Sequence, residues 1–410
     1  QRELAQLGYF DPEKMGVEPK PNPEDGTVDI HYTFEEKSND QVELSGGWSG
    51  KYVVLSGKLI LNNLSLHDLV TKGEWPPLGD GQSLTLNLTA NPQYYTLYSI
   101  TFTEPWLGGK KPNSLSTSIY RSVRRNTTNG SMRIIGASVA LGKRLKWPDD
   151  YFTLSNELSY QNYKLNNYSM ASIVSLPSVL NSNNISISST FARNSIDQPL
   201  YPRGGSLFSM TVELTPPYSL IRKDAHPEDL TAADRYKWIE YHKWKVKTES
   251  YLSIVDKLVL QTKLQFGFLG YYNKSFKSPF EGYSMGGDGL TTMYLYGLES
   301  IPLRGYQAES LTPSTGGNMF DKLTFELRYP LSLNQSATIY GLTFIEAGNA
   351  WSEFKSFNPF NVRRSAGLGI RIFLPMMGLL GFDYGYGFDL IPGNPDASGW
   401  QPSFILGQQL

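Results

Sequence analysis

The stretch LTFELRYPLS, residues 323–332, alternates large apolar side chains with polar ones. In an extended chain Phe325 and Leu327 point to one side, while Glu326 and Arg328 point to the other. This alternation predicts a β-strand with one apolar face and one polar face. The same pattern recurs in three further runs, Leu84–Thr89, Phe152–Gln161 and Gly381–Phe388. The chain is therefore predicted to consist mainly of long amphipathic strands.

Placing every alternating run in order gives sixteen predicted strands from Gln41 onward. They lie near residues 41–50, 53–62, 81–91, 94–104, 113–123, 131–145, 151–163, 184–195, 205–216, 240–255, 258–272, 320–333, 336–349, 364–374, 378–389 and 400–409. Many are long, whereas strands of soluble proteins average about five or six residues. A strand of about nine to eleven residues crosses a bilayer at a tilt. The pattern predicts an all-β fold, a 16-stranded antiparallel transmembrane β-barrel.

The connections between these strands alternate between short and long. Short links are predicted at Pro105–Lys111, Lys146–Asp150, Asp256–Lys257, Asn334–Gln335 and Pro375–Met377. Long ones are predicted at 164–183, 217–239, 273–319, 350–363 and 390–399. Short turns at one rim and long loops at the other are typical of outer-membrane barrels. The alternative is a large soluble β-sandwich or propeller, but the roughly 40–50-residue repeat of propeller blades is not visible.

The composition agrees with a sheet that has one face in lipid. Aromatic residues make up 13% of the 410 residues and charged residues only 18%. The longest apolar stretch, Ile372–Phe382, is about half the length of a membrane-spanning helix and contains a proline, so no transmembrane helix is predicted. The absence of cysteine excludes a disulfide scaffold and cysteine-ligated metals. A net charge of −1 gives no reason to expect a nucleic-acid partner.

Residues 1–40 differ from the rest of the chain. Glu3–Gly8 resembles the last turn of a helix closed by a glycine, and Pro19–Pro23 marks a loop. Thr27–Glu36 alternates and is predicted to form a half-buried strand. This segment is too short for a domain, so we interpret it as the C-terminal part of one, followed by the barrel over residues 41–410. Its polar start is not a signal peptide, and we expect a processed chain or an excised fragment.

No set of residues suggests an enzyme. The four histidines are scattered and lack the spacing of metal ligands: His31, His67, His226 and His242. Gly286–Gly289 lacks the lysine and the strand-to-helix context of a phosphate-binding loop. We therefore predict no catalytic residues, no metal and no cofactor. Asn62–Val70, with Ser65 as N-cap, is predicted to be a short connecting helix at the inner rim.

Closing the sheet joins the first predicted strand to the last, and both contain glycine. Backbone polar groups in lipid must be satisfied within the sheet, so the sheet has to close. The candidate seam residues are Gly46, Gly47 and Trp48 on the first strand and Phe404, Gly407 and Leu410 on the last. Glycine in a strand gives up side-chain packing, which makes this junction a candidate lateral exit into lipid. The alternative is that the glycines only relieve crowding in a tapered barrel.

The longest connection contains Leu303-Arg304-Gly305-Tyr306 within a glycine-rich segment from Gly282 to Gly317. A long loop in a regular β scaffold is usually functional, because ordering it costs entropy that specific contacts must offset. Arg304 is therefore a candidate for such a contact. The alternative for Arg304 is a surface ion pair of little energetic value.

These features together resemble the BamA family of outer-membrane protein assembly factors, over nearly the whole chain. The matching motifs are ELAQLGYFD and TVDIHYTFEEK within residues 1–40, Pro202-Arg203-Gly204-Gly205, Leu303-Arg304-Gly305-Tyr306, Phe344–Trp351, GLLGFDYGYGFD and the final FILGQQL. The resemblance implies that residues 1–40 are the C-terminal part of the membrane-proximal POTRA domain. Two departures are that Leu410 stands where the family's last strand normally ends in an aromatic residue, and that only a fragment of one POTRA domain is present.

The resemblance also implies that the connection at about 273–319 is the sixth extracellular loop and folds back into the barrel lumen. There Arg304 would be held by a carboxylate of the inner wall, since guanidinium and carboxylate groups pair bidentately. Glu346 is the first candidate and Asp383 the second, and alternation places Asp383 on the lumen face. Glu346 shares a face with bulky apolar residues such as Phe344. Either such residues point inward, or a bulge shifts the register there.

The implied function is non-enzymatic insertion of other barrel proteins through the seam, in the outer membrane of a Gram-negative bacterium, with the N-terminal part in the periplasm. The expected partners are unfolded outer-membrane β-barrel substrates, accessory assembly lipoproteins and the lipid bilayer. The long loops at 164–183 and 217–239 are either surface cover or docking sites for external proteins. The alternatives are a general porin, a secretion pore of the same superfamily, or a translocation or assembly relative of the TamA kind.

Overall fold

The computed structural model describes residues 16–22, 27–33, 40–49, 52–71, 73, 79–91, 94–109, 111, 113–125, 130–168, 177–221, 230–288, 298–314, 316–334, 337–374 and 378–406. A two-stranded sheet comes first, formed by β1 (Gly16–Asn22) and β2 (Thr27–Thr33). The strands that follow close into an antiparallel barrel of sixteen, as the alternation predicts, so the predicted fold class is confirmed.

The bounds of the barrel strands follow the predicted runs closely. In chain order they are β3 Gln41–Ser49, β4 Tyr52–Leu64, β5 Gln82–Asn91, β6 Tyr95–Glu104, β7 Asn113–Arg125, β8 Ser131–Arg144, β9 Phe152–Asn166, β10 Val179–Asn194, β11 Gly204–Leu214, β12 His242–Val255, β13 Leu258–Gly270, β16 Met319–Asn334, β17 Ala337–Trp351, β18 Arg363–Leu374, β19 Gly378–Gly387 and β20 Gly399–Leu406. Between β13 and β16, two short strands, β14 Gly282–Met285 and β15 Leu298–Ile301, form a separate sheet.

The two faces of the barrel differ as the alternation requires. On β16 the outward side chains of Phe325 and Leu327 are 41% and 36% exposed, whereas Glu326 and Arg328 on the inward face are buried. Exposed apolar side chains on a closed sheet suit contact with lipid hydrocarbon. The inward polar side chains, such as Glu326 and Arg328, line the lumen of the barrel.

One strand begins earlier than its sequence pattern indicates. β10 starts at Val179, ahead of the predicted start near residue 184. The apolar alternation is absent there because the segment is rich in asparagine. Instead, the Asn162 amide of β9 donates hydrogen bonds to the side chains of Asn181 at 2.9 Å and Asn183 at 3.0 Å. Cross-strand polar contacts therefore extend the sheet where hydrophobic periodicity gives no signal.

The N-terminal sheet departs from two predictions. Pro19 and Pro21 lie inside β1, paired with β2, rather than in a loop. Proline is tolerated on a strand that has an unpaired edge, because its missing N–H is not needed there. β2 is exposed along its whole length rather than half-buried, since β1 alone among the described strands pairs with it. The predicted helix end at Glu3–Gly8 and the end of the predicted strand at residues 34–36 lie outside the described residues.

The α-helices among the described residues are short connectors: Leu66–Thr71, Tyr218–Ile221 and Ala232–Arg235. Single 3-10 turns lie at Lys274–Phe276, Phe354–Ser356 and Pro395–Ala397. The described parts of the chain contain no helix with the length and apolar character needed to cross a membrane. The first helix follows Ser65, whose side-chain oxygen accepts a hydrogen bond from Asp68 N at 3.0 Å. This is the N-cap contact expected for the predicted connecting helix. The predicted start of that helix was wrong, because Asn62–Leu64 belong to β4.

The described residues around β14 and β15, in the connection between β13 and β16, lie inside the barrel. The two strands run parallel to each other, and Tyr283 and Met285 of β14 have no exposed surface. They belong to one hydrophobic cluster with inward side chains of the wall, including Tyr163 of β9 and Phe320 of β16. At this end of the barrel the lumen is therefore a packed core, shared between the loop and the wall.

The barrel closes between β20 and β3, and this junction is short. All eight residues of β20, Gly399–Leu406, have partners in β19. On its other side, Phe404–Leu406 pair with Gly46–Trp48 of β3. β3 ends at Ser49, and on its other side all of its residues, Gln41–Ser49, pair with β4. In the described part of the chain, Gly399–Ser403 thus form an edge without a partner in β3, which we call the β20 edge.

An arginine placed at mid-strand tests whether the outer surface contacts lipid. Ile119, at the centre of β7, is 60% exposed on the outer face. We expect Ile119→Arg to lower the free energy of unfolding in phospholipid bilayers by about 2–4 kcal/mol, because a charge is costly near the bilayer midplane. Asn113→Arg, on the same face at the end of the same strand, should lower it by about 0–1 kcal/mol. Equal effects in a denaturant titration would contradict a lipid-facing β7.

Candidate functional site

The segment Leu303–Tyr306 forms a tight turn inside the lumen, and its shape depends on Gly305. Gly305 has a φ of +86°, a left-handed conformation that glycine adopts without steric cost. On either side of it, Leu303 N donates to Gly287 O at 3.1 Å, and Gly287 N donates to Tyr306 O at 3.0 Å. Leu303 and Tyr306 are both buried. The turn therefore projects Arg304 toward the wall of the barrel.

Arg304 contacts three carboxylates on three different strands. Its Nη2 atom donates to Glu346 Oε1 at 2.9 Å and to Glu326 Oε2 at 3.1 Å. Its Nη1 atom lies 3.6 Å from Asp383 Oδ1. The backbone N–H of Arg304 also donates to the second oxygen of Glu346, at 2.9 Å. The structure thus brings both predicted carboxylates to Arg304 and adds Glu326, which the motif comparison did not single out.

Each of these carboxylates is shared with a cation of the barrel wall. The pairs are Glu346 with Lys322, Glu326 with Arg328 and Asp383 with Arg371, at 2.7 to 2.9 Å. None of the seven side chains in this group, which we call the lumen network, is more than 11% exposed. Charges buried to this degree are tolerated only when they are paired and hydrogen-bonded. The guanidinium of Arg304 is therefore held by carboxylates that the wall cations also pair.

The guanidinium of Arg304 also lies over an aromatic ring. Its Cζ atom is 3.5 Å from the ring centroid of Phe344, a cation–π contact. Phe344 and Leu342 share the inward face of β17 with Glu346 and are 1% and 4% exposed. The β-bulge between β16 and β17 lies further along, at Pro330–Ser332. Glu346 therefore lies on the inward face together with bulky apolar residues, and no bulge shifts the register at Glu346.

The backbone of the turn fits against inward glycines of β19. A Cβ atom on Gly385 would lie 2.9 Å from Gly305 N, and one on Gly387 would overlap the Gly305 carbonyl oxygen and the Tyr306 ring. Inward positions without side chains thus form a seat for the loop. The alternation of Gly381–Phe388 indicates a strand, but it does not reveal this role of its glycines.

Tyr306 fixes the turn to the outer ends of β18 and β19. Its hydroxyl donates to Arg364 O at 2.8 Å and accepts from Asp389 N at 3.2 Å. Arg364 pairs in turn with the Asp389 carboxylate at 2.8 Å. The hydrogen bond from the guanidinium holds the pKa of Asp389 below its ordinary value. The aromatic residue that follows Arg304-Gly305 therefore closes the turn onto the wall.

A second buried ion pair holds the loop on another side of the lumen. Glu281 lies 3.3 Å from Lys243 Nζ of β12 and accepts a long hydrogen bond from Tyr163 Oη at 3.5 Å. The neighbouring Phe280 stacks on the Tyr163 ring, with centroids 4.5 Å apart. No motif distinguishes Glu281 in the sequence. An acidic residue in a loop is recognisable as an anchor only once its partner strand has been placed.

The predicted seam residues divide into two groups. Four lie where β3 and β20 pair: Gly46, Gly47, Trp48 and Phe404. Gly407 and Leu410 lie outside the described residues. A Cβ atom on Gly46 would meet the carbonyl oxygen of Val54 at 2.8 Å, so the neighbouring strand requires a small residue at this point. Crowding thus accounts for Gly46, whereas the short pairing of β20 with β3 is a separate property of the junction.

Arg304→Ala should release the loop while the barrel still forms. The expected loss is about 1.5–3 kcal/mol, the range for hydrogen bonds to charged groups, because the three carboxylates keep their wall cations. Limited proteolysis of the loop and the temperature at which the folded band disappears on gels would measure it. Arg304→Lys, which keeps the charge without the fork geometry, should fall between wild type and Arg304→Ala. Wild-type resistance of Arg304→Ala to protease and heat would show that Arg304 is not an anchor.

Gly387→Ala tests the seat independently of charge. The added methyl group would displace Gly305 and the Tyr306 ring, so the loop should become as protease-sensitive as in Arg304→Ala, with the barrel intact. Gly341→Ala on β17 is the matched control, because a Cβ atom there has no neighbour within 4 Å. If both alanine variants protected the loop as well as wild type does, the glycine seat would not contribute to holding it.

Comparison with known proteins gives a family match and similar solved structures. The model of the Omp85 superfamily domain matches residues 77–409. BamA from Haemophilus ducreyi lacking POTRA domains 1–3 aligns with a TM-score of 0.64 and 19% identity, over 98% of this chain and 76% of that one. CdiB from Escherichia coli aligns with a TM-score of 0.62 and 14% identity, over 98% of this chain and 69% of that one. A comparison with curated protein sequences gives no match.

The structural similarities, at such low identity, are similarities of fold. The family match shows more than the fold, because it is a match in sequence over most of the barrel. The chain is an outer-membrane β-barrel that belongs to the Omp85 superfamily.

Proposed function

We propose that this protein folds and inserts other β-barrel proteins into the outer membrane, without enzymatic chemistry or a cofactor. In this proposal β1 and β2 belong to a periplasmic POTRA domain, and the long connections face the outside. The clients are unfolded outer-membrane β-barrel chains, delivered with the help of accessory lipoproteins. The superfamily membership and the similarity in fold to BamA support this proposal, and the β20 edge carries it.

The β20 edge offers a place where a foreign strand can pair. Over Gly399–Ser403, β20 is bonded to β19 but has no partner in β3 among the described residues. An unpaired strand edge in lipid costs several kcal/mol per unsatisfied backbone group, so it favours pairing with another strand. Addition of a client strand to such an edge is β-augmentation. Pro402 lies within this edge, where a residue without an N–H is best accommodated.

The lumen network supports lateral rather than axial passage. A pore that conducts through its lumen has to clear the loop from it. Here Arg304 is held by three carboxylates, and the loop shares a hydrophobic core with the wall. Moving the loop out would break both sets of contacts. Opening between β20 and β3 would break the short ladder between Phe404–Leu406 and Gly46–Trp48 instead.

The proposed function is tested by reconstitution. The full-length protein in liposomes, supplied with accessory lipoproteins and an unfolded barrel substrate, should insert that substrate faster than liposomes without it. Insertion at the rate of empty liposomes would reject the proposal. Planar-bilayer recording separates the alternatives, since a general porin gives large and steady open channels, whereas a barrel with its loop in place does not.

A disulfide across the seam tests whether clients are inserted through an opening between β20 and β3. Gly47 and Ile405 are direct partners, and the chain has no cysteine of its own. Directly opposed antiparallel residues have Cα atoms about 4.5–5.5 Å apart, within the range of a disulfide. We expect Gly47→Cys combined with Ile405→Cys to abolish insertion when oxidised and to recover it when reduced.

The matched control is Ser118→Cys combined with Ser138→Cys, direct partners on β7 and β8 away from the seam. Oxidation of this pair should leave insertion unchanged. If the oxidised seam pair inserted clients at the wild-type rate, opening between β20 and β3 would not be the route.

A further inference from the structure

Four cations gather on the outer surface of β7 to β9, at the rim of the long connections. They are Arg121, Arg125, Arg133 and Lys164, and with Asn166 and Asn181 they line a groove of about 640 Å³. All four point outward, because the residues next to them in sequence, such as Tyr120, Ile134 and Tyr163, are buried in the lumen. We call this feature the basic groove.

The strand register brings like charges together. Arg133 is directly opposite Lys164 on β9, and on its other side it is opposite Val123, which lies between Arg121 and Arg125. Like charges directly opposite each other on neighbouring strands destabilise a sheet. The cations that line the groove therefore repel one another, and an anion bound between them would reduce this repulsion.

The protein supplies little negative charge to this region. Residues 105–148 contain no aspartate or glutamate, and neither does the connection at 169–176. Among the described residues no carboxylate forms an ion pair with the four cations. The acidic residue within β7 to β10 is Glu157, which shares the inward face of β9 with Tyr163. The positive charge of the basic groove is thus uncompensated on the outer surface.

The groove begins where the apolar surface ends. On β7 the exposed Ile119 is followed on the same face by Arg121, and on β8 the exposed Ile135 is preceded on that face by Arg133. On β9, Tyr160 is the last outward aromatic residue before Lys164. Tyrosine and arginine at the edge of an apolar band are typical of the level of lipid headgroups.

We propose that the basic groove binds the phosphorylated headgroup of a lipid in the outer leaflet of the membrane. Arginine forks pair bidentately with phosphate, and lysine adds a point charge. A phosphate between Arg133 and Lys164 would offset their repulsion, while the amides of Asn166 and Asn181 suit the hydroxyl groups of a sugar headgroup. This inference takes from the proposed function only the orientation of the barrel.

A lipid fits the groove better than a free anion does. The exposed side chains of Ile119 and Ile135 follow the cations on the same outward face, where they would contact acyl chains below the headgroup. Val179, 67% exposed at the groove itself, adds apolar surface beside the cations. A soluble phosphate would use the charges and gain nothing from these apolar neighbours.

Binding of bis-phosphorylated lipid A to the purified full chain in detergent, counted by native mass spectrometry, tests the inference. The wild-type protein should bind it saturably. Arg133→Gln combined with Lys164→Gln should weaken binding by at least about tenfold, since each cation contributes to attraction at a lipid surface. Arg133→Lys combined with Lys164→Arg should bind as wild type does, which separates loss of charge from misfolding. Raising the salt concentration should weaken wild-type binding.

Lys143→Gln is the matched control, because Lys143 lies on the same outward face of β8 at the opposite rim. It should leave lipid A binding unchanged. Equal binding by the Arg133→Gln and Lys164→Gln double variant, or equal binding of dephosphorylated lipid A, would overturn the inference. So would equal binding of phosphatidylglycerol, or displacement of lipid A by millimolar inorganic phosphate. Because insertion is not the readout, a failed insertion assay and a failed lipid assay are distinguishable.

Discussion

A bilayer has no water to satisfy backbone N–H and C=O groups, so the barrel depends first on the closure of its sheet. Closure forces each strand to present one face to lipid and the other to the lumen, as on β16. It also creates an interior whose polar groups must find partners within the protein. The junction of β20 with β3 is where this requirement is met least completely, since the β20 edge is paired on one side in the described residues.

Some of the partners that the polar interior needs come from the loop between β13 and β16. The three carboxylates of the lumen network already have three wall cations, so Arg304 enters a wall that is balanced without it. Arg304 adds contacts to each carboxylate and a cation–π contact with Phe344. Release of the loop would therefore leave the wall paired. Arg304 therefore anchors the loop, but loss of its contacts would leave each buried carboxylate paired with a cation of the wall.

Alternation was sufficient to predict the barrel, because long amphipathic strands such as β16 encode their two faces locally. It was insufficient where the determinant lies in another strand. The inward position of Glu346 beside Phe344 becomes understandable only when Arg304 is seen over that ring. Glu326 and the seat at Gly387 depend on where the loop enters, which no local pattern states. The strand through Pro19 and the asparagine-rich start of β10 are held by pairing and polar contacts that hydrophobic periodicity does not register.

The reach of Arg304 across β16, β17 and β19 has a mechanical consequence for the seam. Together with Tyr306, which is bonded to Arg364 of β18, it braces the strands that lead up to β20 against one another. A braced wall resists bending, so β20 is carried by the stiffer side of the junction. In the proposed opening of the seam, the braced strands should stay in place as a fixed frame. The strands on the other side of the seam, starting with β3, would then be the ones that move.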